Sequence, residues 1–281
     1  MKINIANSAG FCFGVRRAIN IAMYTAKNNK QVFMLGDIVH NEEVVKKIRE
    51  SGIKKAGRLC AGKGKTLLIR AHGCSNKTLQ KAKKLGYSII DATCPMVKEI
   101  HAVAKKLENR GFKIIVIGDK FHDEVKGIVG QLKTKAIIID SLKNIPIEKL
   151  RLLEKAGVVV QSTQNLDKVL EIIKILRKNI NELEFHNTIC KPTRSKQNEV
   201  KIMPLENDVM IIIGSKTSAN TKRIYEISKS LNNKSHWVNS SGEIKKNWLA
   251  KAKSVGITAG ASTPESTIRK VLQKVKRLSS A

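Results

Sequence analysis

The stretch MVKEIHAVAKKLENRGFKIIVIGDKFHDEVKG, residues 96–127, decides the fold. Its first part, Met96–Arg110, repeats apolar positions at the spacing of an amphipathic helix, and Gly111 follows as a helix terminator. Lys113–Ile117 is then a short and almost continuous apolar run, typical of a parallel strand that is buried on both faces. A polar segment with glycines, a histidine and carboxylates comes directly after it. The stretch therefore predicts a helix–strand unit of an α/β protein.

The same alternation of short apolar runs and helical patterns extends along the whole chain. The candidate strands are Ile3–Ala6, Val32–Leu35, Thr66–Arg70, Ser88–Asp91, Lys113–Ile117, Ala136–Ile139, Gly157–Gln161, Asp208–Ile213 and Ser254–Thr258. The candidate helices are Val15–Asn28, Ser75–Leu85, Met96–Arg110, Leu166–Asn179, Asn220–Leu231 and Pro264–Leu278. This pattern predicts α/β architecture with mainly parallel sheets.

Composition narrows the class of protein. The 42% apolar share is that of a folded globular protein, and no apolar run approaches the roughly 20 residues of a membrane span. The N-terminus lacks a signal-peptide pattern, so we expect a cytoplasmic protein without a membrane partner. A net charge of +30 would suit nucleic acid, but the lysines are spread out and aromatics make up only 4%. We therefore expect no nucleic-acid partner, whereas an anionic small substrate is compatible with the charge.

Three of the five cysteines have a regular spacing. Cys12, Cys94 and Cys190 lie 82 and 96 residues apart, and the first two each follow a predicted strand and precede a helical pattern. The strand before Cys190 is marked more weakly, with Glu184–Ile189 as its candidate. The spacing predicts three similar α/β units with one cysteine each.

The three spaced cysteines are candidate metal ligands. Each is expected near a helix start, where the helix dipole favours the thiolate that binds metals. Three thiolates suit a zinc ion with one open position, or three irons of a [4Fe–4S] cluster whose fourth iron is open. The spacing does not distinguish between these two centres.

Polar side chains gather just after the predicted strands. Ligands of open α/β sheets bind beyond the carboxyl ends of the strands, so these side chains are candidates for a binding site. They are His40, His72, His122, Glu124, Ser162, Thr163, Ser218, Asn220 and Ser262. Histidines, hydroxyls and an amide beside glycine-rich turns suit a phosphate-like anion. Gly57–Lys63 is not a P-loop, because Gly64 and then a strand follow it, and the chain has no G-x-G-x-x-G motif.

Eight motifs between residues 10 and 265 resemble, in the same order, those of the 4-hydroxy-3-methylbut-2-enyl diphosphate reductase family. They are G-F-C-F-G-V-R-R-A-I around Cys12, V-H-N at His40, A-H-G at His72, D-A-T-C-P at Cys94, H-D-E-V-x-G from His122, T-I-C at Cys190, G-S-K-x-S-x-N-T from Gly214 and T-A-G-A-S-T-P from Thr258. One such motif would be weak, but eight in order over nearly the whole chain are very specific.

The resemblance implies a trefoil of three α/β units around one central [4Fe–4S] cluster, with the third unit closed by the N-terminus. The implied units are residues 13–94, residues 95–190, and residues 191–281 together with residues 1–12. It implies an oxidoreductase that removes the hydroxyl of an allylic diphosphate as water, using two electrons and two protons. The implied products are isopentenyl and dimethylallyl diphosphate, at the last step of the non-mevalonate isoprenoid pathway. The implied electron donor is a ferredoxin or a flavodoxin.

The matching motifs also imply a role for each candidate residue. Cys12, Cys94 and Cys190 would ligate the cluster, whose open iron would take the substrate hydroxyl. Glu124 would deliver the proton that lets this hydroxyl leave, and Ser162 would assist it as a second catalytic residue. The implied diphosphate ligands are His40, His72, His122, Ser218, Asn220 and Ser262.

Several positions depart from the pattern of the family. Asp119 stands where a second histidine is common, Asp123 replaces a common proline, and Ala219 replaces a frequent serine. Lys191–Pro192 open a run unlike the usual A-T-x-x-R-Q, and Ser162 stands where threonine is usual. These departures put local geometry in question, while the cysteine ligands are intact.

Three alternative interpretations stay open at this point. A zinc enzyme acting on a phosphorylated substrate would be colourless and active in air, whereas the reductase would be brown and oxygen-sensitive. A nucleic-acid-binding protein would bind duplex DNA in a salt-dependent manner and hold no iron. Within the site, Ser162 could instead cap the helix that begins near Leu166, with Thr163 supplying the working hydroxyl.

Overall fold

Strands and helices alternate along the chain, as the sequence predicts. The computed structural model describes residues 1–279. Its strands are β1 (Lys2–Ile5), β2 (Val32–Leu35), β3 (Lys54–Ala56), β4 (Thr66–Ile69), β5 (Ser88–Asp91), β6 (Lys113–Ile117), β7 (Ile137–Ile139), β8 (Lys155–Val160), β9 (Glu182–Phe185), β10 (Val209–Ile213), β11 (Ser235–Val238) and β12 (Ser254–Ala259). Its α-helices are α1 (Phe13–Asn28), α2 (Glu42–Glu50), α3 (Asn76–Lys84), α4 (Pro95–Asn109), α5 (Asp123–Val129), α6 (Ile147–Arg151), α7 (Leu166–Asn179), α8 (Lys191–Glu206), α9 (Ala219–Leu231) and α10 (Glu265–Ser279).

Within residues 1–279 the strands form three parallel sheets of four strands each. We name them the 32–91 sheet (β3-β2-β4-β5), the 113–185 sheet (β7-β6-β8-β9) and the terminal sheet (β11-β10-β12-β1), each written in spatial order. Counting β1 as the fourth strand of the terminal sheet, all three have the order second, first, third, fourth. The predicted α/β class with mainly parallel sheets is therefore confirmed.

The middle strands of the sheets are buried on both faces, which explains their continuous apolar sequences. In β6, Ile115 packs in a core with α7, and Ile114, on the opposite face, packs in a core with α4. Both side chains are fully buried. Burying an isoleucine side chain of this kind contributes about 1.5–3 kcal/mol to folding. Within residues 1–279 no helix combines the length and apolar composition that crossing a bilayer requires.

The chain divides into two compact units. The first unit comprises Met1–Arg16, Val39–Lys46 and the chain from Lys191 onward, and it holds the terminal sheet. The second unit comprises Arg17–Ile38 and Lys47–Cys190, and it holds the other two sheets. The boundaries of the three units that the resemblance implies stay a prediction.

Some elements lack the apolar pattern that would have predicted them. The edge strands β3 and β11 and the helices α2, α5, α6 and α8 were not expected from the sequence. The strand before Cys190 lies at Glu182–Phe185, so the candidate Glu184–Ile189 began and ended too late. The reason lies at Thr188, whose hydroxyl accepts from the Val160 N–H at 2.8 Å and donates to the Val160 carbonyl at 2.6 Å. The Thr188 side chain thus continues the hydrogen bonding with β8 after β9 itself has ended.

Candidate active site

The candidate residues occupy equivalent places after the strands of the three sheets. Five residues after the first strand of each sheet come His40, His122 and Ser218. In the loops after the third strand come His72, Ser162 and Ser262. After the fourth strand, and directly before a helix, come Cys94, Cys190 and Cys12. In each sheet the order reverses between the first and third strands, and it is at such switch points that α/β sheets bind ligands.

Glu124 and Ser162 are in direct contact within the second unit. The Ser162 backbone N–H donates to Glu124 Oε1 at 2.6 Å, and the Ser162 hydroxyl donates to Oε2 at 2.8 Å. Glu124 lies in the first turn of α5 and is only 2% exposed. Burial raises the pKa of Glu124, the two bonds from Ser162 oppose the shift, and the charge of Asp119 adds to it, so that the pKa lies above its ordinary value. The carboxyl group is therefore suited to holding and releasing a proton.

Ser162 does not cap α7. The N-cap of that helix is Asn165, whose side chain accepts from the Lys168 N–H at 3.1 Å. The Thr163 hydroxyl accepts from Gln161 Nε2 at 3.0 Å. The capping alternative for Ser162 is therefore wrong, because its hydroxyl is committed to Glu124.

The two histidines of the second unit lie beside each other. His122 is the N-cap of α5, and its Nδ1 accepts from the Glu124 backbone N–H at 3.1 Å. With Nδ1 as acceptor, a neutral His122 ring carries its proton on Nε2 and can donate from there. The rings of His72 and His122 meet edge to face with centroids 5.5 Å apart. Two candidate anion donors and one proton carrier are thus joined by direct contacts.

The same backbone hydrogen bond anchors each of the three spaced cysteines. In each sheet the cysteine N–H donates to the carbonyl of the residue two positions after the third strand. The pairs are Cys94 with Ala71 at 2.9 Å, Cys190 with Ser162 at 3.1 Å and Cys12 with Ala261 at 3.1 Å. All three thiols are half-buried and precede the first residue of a helix, where the dipole favours a thiolate.

The other two cysteines have different surroundings. Cys60 is exposed, and Cys74 is half-buried. Burial, reinforced by the charge of Asp91, raises the pKa of the Cys74 thiol to about 11. Because the thiolate is the metal-binding form, Cys74 is a poor ligand at neutral pH.

In the first unit, the start of α9 presents a buried amide. Ser218 is the N-cap and accepts from the Thr221 N–H at 3.2 Å. Asn220 is 4% exposed, and in the part of the chain that the structure describes neither polar atom of its side chain has a hydrogen-bond partner. Burying such a group unsatisfied costs about 1–3 kcal/mol, so its presence points to a polar ligand. Gly214 is close by, since a Cβ there would lie 2.6 Å from the hydroxyl of Thr221.

His40 belongs to the same first unit. The Ser262 hydroxyl donates to the His40 carbonyl at 2.9 Å. Two residues further along the chain, Glu42 accepts from the Ser215 hydroxyl at 2.7 Å. These bonds tie the segment that carries His40 to the loops after β10 and β12.

Lys196 is a buried cation that reasoning from the sequence missed. Its side chain is 1% exposed, and its ammonium group donates to the carbonyls of Ser8, Gly10 and Ala259, the last two at 3.1 Å. It thereby stabilises the segment that leads to Cys12. Among 53 lysines and arginines, nothing in the sequence distinguishes this one.

The carboxyl ends of the parallel strands carry histidines, a buried acid, an unsatisfied amide and cysteines. These features define the class of the protein as an α/β enzyme. A profile of the LytB protein family matches residues 3–276. The chain belongs to this family, whose relatives below are named 4-hydroxy-3-methylbut-2-enyl diphosphate reductase, and it is an oxidoreductase. The resemblance found in the motifs is therefore confirmed.

Relatives and solved structures match over nearly the full length. The reductase of Aquifex aeolicus is 38% identical and that of Dictyoglomus turgidum 37%, each over 99% of this chain and 97% of the relative. A solved structure of (E)-4-hydroxy-3-methyl-but-2-enyl diphosphate reductase, the terminal enzyme of the non-mevalonate pathway, is 37% identical, with a TM-score of 0.73 over 99% of this chain and 100% of that chain. The structure of E-1-hydroxy-2-methyl-but-2-enyl-4-diphosphate reductase from Plasmodium falciparum is 27% identical, with a TM-score of 0.88 over 97% of this chain and 87% of that one.

Proposed function

We propose that the chain reduces (E)-4-hydroxy-3-methylbut-2-enyl diphosphate to isopentenyl diphosphate and dimethylallyl diphosphate, in the last step of the non-mevalonate isoprenoid pathway. The names of the full-length relatives support this substrate. The observation that carries the proposal is the buried contact between Glu124 and Ser162, beside His122, at the carboxyl ends of parallel strands. This arrangement combines a carboxyl group that carries a proton with a side chain that donates a hydrogen bond to an anion. Removal of a hydroxyl from a diphosphate requires both.

The reaction also needs two electrons, and we propose that Cys12, Cys94 and Cys190 hold one [4Fe–4S] cluster. Support comes from their shared setting, half-buried and directly before a helix, and from the chemistry of thiolates, the usual ligands of such clusters. Three thiolates leave one iron without a protein ligand. When bound, the cluster supplies electrons one at a time and a Lewis-acidic iron.

The diphosphate is proposed to bind to polar side chains that follow the strands. Two features support this assignment: the edge-to-face contact of His72 with His122, and the buried amide of Asn220. The starts of α5 and α9 add backbone N–H groups and a favourable dipole for an anion. The full proposed set is His40, His72, His122, Ser218, Asn220 and Ser262.

Proton transfer is assigned to Glu124. The C–O bond of the substrate breaks, its hydroxyl takes one proton and leaves as water, and the carbon skeleton takes two electrons and a second proton. A raised pKa keeps the Glu124 proton available for the departing hydroxyl. Ser162 holds the carboxyl through both of its oxygens and so fixes the direction of transfer.

The proposals for the electron donor and for the cellular location rest on the sequence alone. We propose a ferredoxin or a flavodoxin as donor, since the reaction consumes two electrons and the family resemblance implies these carriers. The cytoplasmic location stays a prediction.

Anaerobic purification followed by iron and sulfide analysis tests the proposal. We expect a brown protein with about four irons and four sulfides per chain, and reduction of the allylic diphosphate to the two products with a chemical reductant. A colourless protein that holds zinc and hydrolyses a phosphorylated substrate would contradict the proposed function.

A further inference from the structure

An acidic residue lies inside the proposed anion site. Asp123 stands between His122 and Glu124 and is the first residue of α5. A carboxylate at this place would repel a diphosphate, because like charges within a few ångströms oppose each other strongly at a partly buried site. Arg70 balances it, with Nη1 2.6 Å from Asp123 Oδ2 and side chains 18% and 25% exposed.

The place of Arg70 is set by its own sheet. It is the first residue after β4 and lies two positions before His72. On one side its guanidinium fills the space above Gly36, where a Cβ would come within 2.3 Å of Nη1. On the other side it reaches Asp123. The pair therefore connects the loop that carries His72 to the turn that carries His122.

Residues 70–76 run beside α5 and the turn that follows it. We call the contacts between these two segments the seam, and the pair of Arg70 with Asp123 belongs to it. The Asn76 N–H donates to the Gly130 carbonyl at 2.9 Å, and Gln131 Nε2 donates to the Cys74 carbonyl at 2.7 Å. These bonds hold one end of the seam, and the pair of Arg70 with Asp123 holds the end nearest the histidines.

We infer that Arg70 and Asp123 are positioning residues of the diphosphate site. Their ion pair neutralises the partly exposed carboxylate that directly follows His122, so that this charge does not repel the anion. The inference rests on the proposed function and adds to it two residues that do not touch the substrate.

Replacing Asp123 by proline offers a matched background for the test. Proline is well tolerated at the first position of a helix. His122, which would precede it, has φ −68° and ψ 141°, the extended conformation that a following proline requires. Asp123→Pro thus removes the charge while keeping the turn rigid. In that background Arg70 has no acid to neutralise.

The test is a cycle of variants in the anaerobically purified full chain: Arg70→Met, Asp123→Pro and the double variant. Inorganic diphosphate binding is measured by calorimetry, and KM and kcat by turnover. We expect Arg70→Met to weaken binding about tenfold, the effect of leaving a partly buried charge unpaired, and to raise KM with kcat nearly kept. Asp123→Pro and the double variant should both bind within about threefold of the wild type.

The control is Glu184→Gln, which breaks the 2.7 Å ion pair of Arg110 with Glu184 between α4 and β9 and should leave binding unchanged. If Arg70→Met does not fold, Arg70→Gln takes its place, and the same changes in diphosphate binding and KM are expected. A double variant as weak as Arg70→Met would overturn the inference, since Arg70 would then contact the anion itself. Unchanged binding in Arg70→Met would overturn it too, whereas a wild type that ignores diphosphate would reject the proposed function.

Discussion

At the scale of single residues, the surroundings of Glu124 determine whether its carboxyl group is charged and would repel the proposed diphosphate. An ionised carboxylate beside a diphosphate would be repelled, whereas a neutral carboxyl group can stay. Burial raises the pKa of Glu124 and favours the neutral form, while the two bonds from Ser162 oppose that shift only in part. The same environment that allows the acid to lie near an anion therefore also keeps its proton available.

Glu124→Gln should separate proton transfer from binding. Glutamine keeps the shape, and its amide can accept from the Ser162 N–H and donate to the Ser162 hydroxyl oxygen, but it cannot give up a proton as an acid. We expect turnover to fall on the order of 10²-fold or more, a typical contribution of a general acid, with diphosphate binding largely kept. Single-turnover kinetics and calorimetry on the same preparation check this. Normal turnover would remove Glu124 from its proposed role.

The stability of the wild type has a definite pH dependence that the same variant should lack. Because the folded-state pKa of Glu124 lies above the ordinary 4.5, the folded protein binds this proton more tightly than the unfolded chain does. The free energy of unfolding of the wild type therefore falls as the pH rises from 4.5 through the folded-state pKa. Glu124→Gln should lack this fall and be the more stable protein at pH 8. Urea unfolding at pH 5 and pH 8 measures the difference.

Three hydroxyl variants test the choice of Ser162. Ser162→Ala removes the hydroxyl bond to Glu124 Oε2 and leaves the backbone N–H bond to Oε1. Losing that bond at a buried site costs about 1–3 kcal/mol, or roughly tenfold to a hundredfold in rate. Ser162→Thr keeps the hydroxyl and should be neutral or slightly faster. Thr163→Ala should be nearly normal, since Thr163 bonds Gln161 instead. A slow Thr163→Ala beside an unaffected Ser162→Ala would show that the wrong residue was chosen.

His101 should make the protein sensitive to acid. Burial lowers the pKa of His101 to about 4, and the charge of Lys105 adds to the effect. An unfolded histidine takes up its proton near pH 6.5, so stability is lost as the pH falls from 6.5 towards 4. Compared with His101→Phe, the wild type should lose about 2 kcal/mol more between pH 7.5 and pH 5. Equal losses in urea unfolding would contradict this assignment.

At the scale of elements, close approach along the seam depends on glycine. A Cβ at Gly130 would lie 2.3 Å from the Ser75 Cβ and 2.9 Å from the Lys126 carbonyl oxygen. At Gly57, by contrast, a Cβ would meet no atom within 4 Å among the described residues. The two glycines therefore differ in packing while neither has a positive φ.

Gly130→Ala should destabilise the protein by about 1–3 kcal/mol, the usual effect of overpacking, because the backbone beside Ser75 must move. Gly57→Ala is the control and should change stability by less than about 0.5 kcal/mol. The free energy of unfolding in urea compares them. Equal free energies of unfolding for the two variants would mean that the seam accommodates the added methyl group without strain.

The sequence predicted those elements whose burial shows in their own residues. β6 and β8 are buried on both faces, so their apolar runs gave correct bounds within two residues. The edge strands β3 (KKA) and β11 (SHWV) have no such run, because β3 is mostly exposed and the two middle residues of β11 are only half-buried. α8 has few apolar residues and contains Pro204, so its sequence does not look helical. Local composition could not reveal elements that tertiary contacts stabilise.

The places of the candidate side chains after the strands were predictable, but the contacts between them were not. The rule that ligands bind after parallel strands selected Glu124 and Ser162 from sequence alone, but which hydroxyl meets the carboxyl depends on loop geometry. The pair of Arg70 with Asp123 joins residues 53 positions apart, and no local pattern indicates it. Lys196 gave no signal either, since its burial depends on three carbonyls from distant loops.

At the scale of the whole molecule, the cysteine spacing recurs in another set of residues. Gly36, Gly118 and Gly214 follow the first strands of the three sheets and lie 82 and 96 residues apart, as the cysteines do. The segments GDIVHNE, GDKFHDE and GSKTSAN that begin at these glycines are versions of one turn. This repeat was present in the sequence, and it explains why the candidate residues fall at equivalent places.

Serine substitution of the cysteines tests the threefold arrangement. Cys12→Ser, Cys94→Ser and Cys190→Ser should each lose the intact cluster, because each removes one thiolate of the proposed three. Cys60→Ser and Cys74→Ser should keep it, and they serve as matched controls. Iron and sulfide content with the visible absorption spectrum gives the result. Full iron and activity in Cys190→Ser would defeat the proposed ligand set.

The pairing of β1 with β12 has a consequence for how the chain is made. The two strands are roughly 250 residues apart, so this parallel pairing is among the least local in the fold. A ribosome delivers β1 long before its partner, and the apolar face of the terminal sheet stays open until β12 emerges. The 32–91 and 113–185 sheets each complete their strands from one continuous segment and can form earlier during translation. The terminal sheet can therefore be completed only after the strands of the other two sheets have been made, and nascent chains stalled before β12 expose β1 to chaperones.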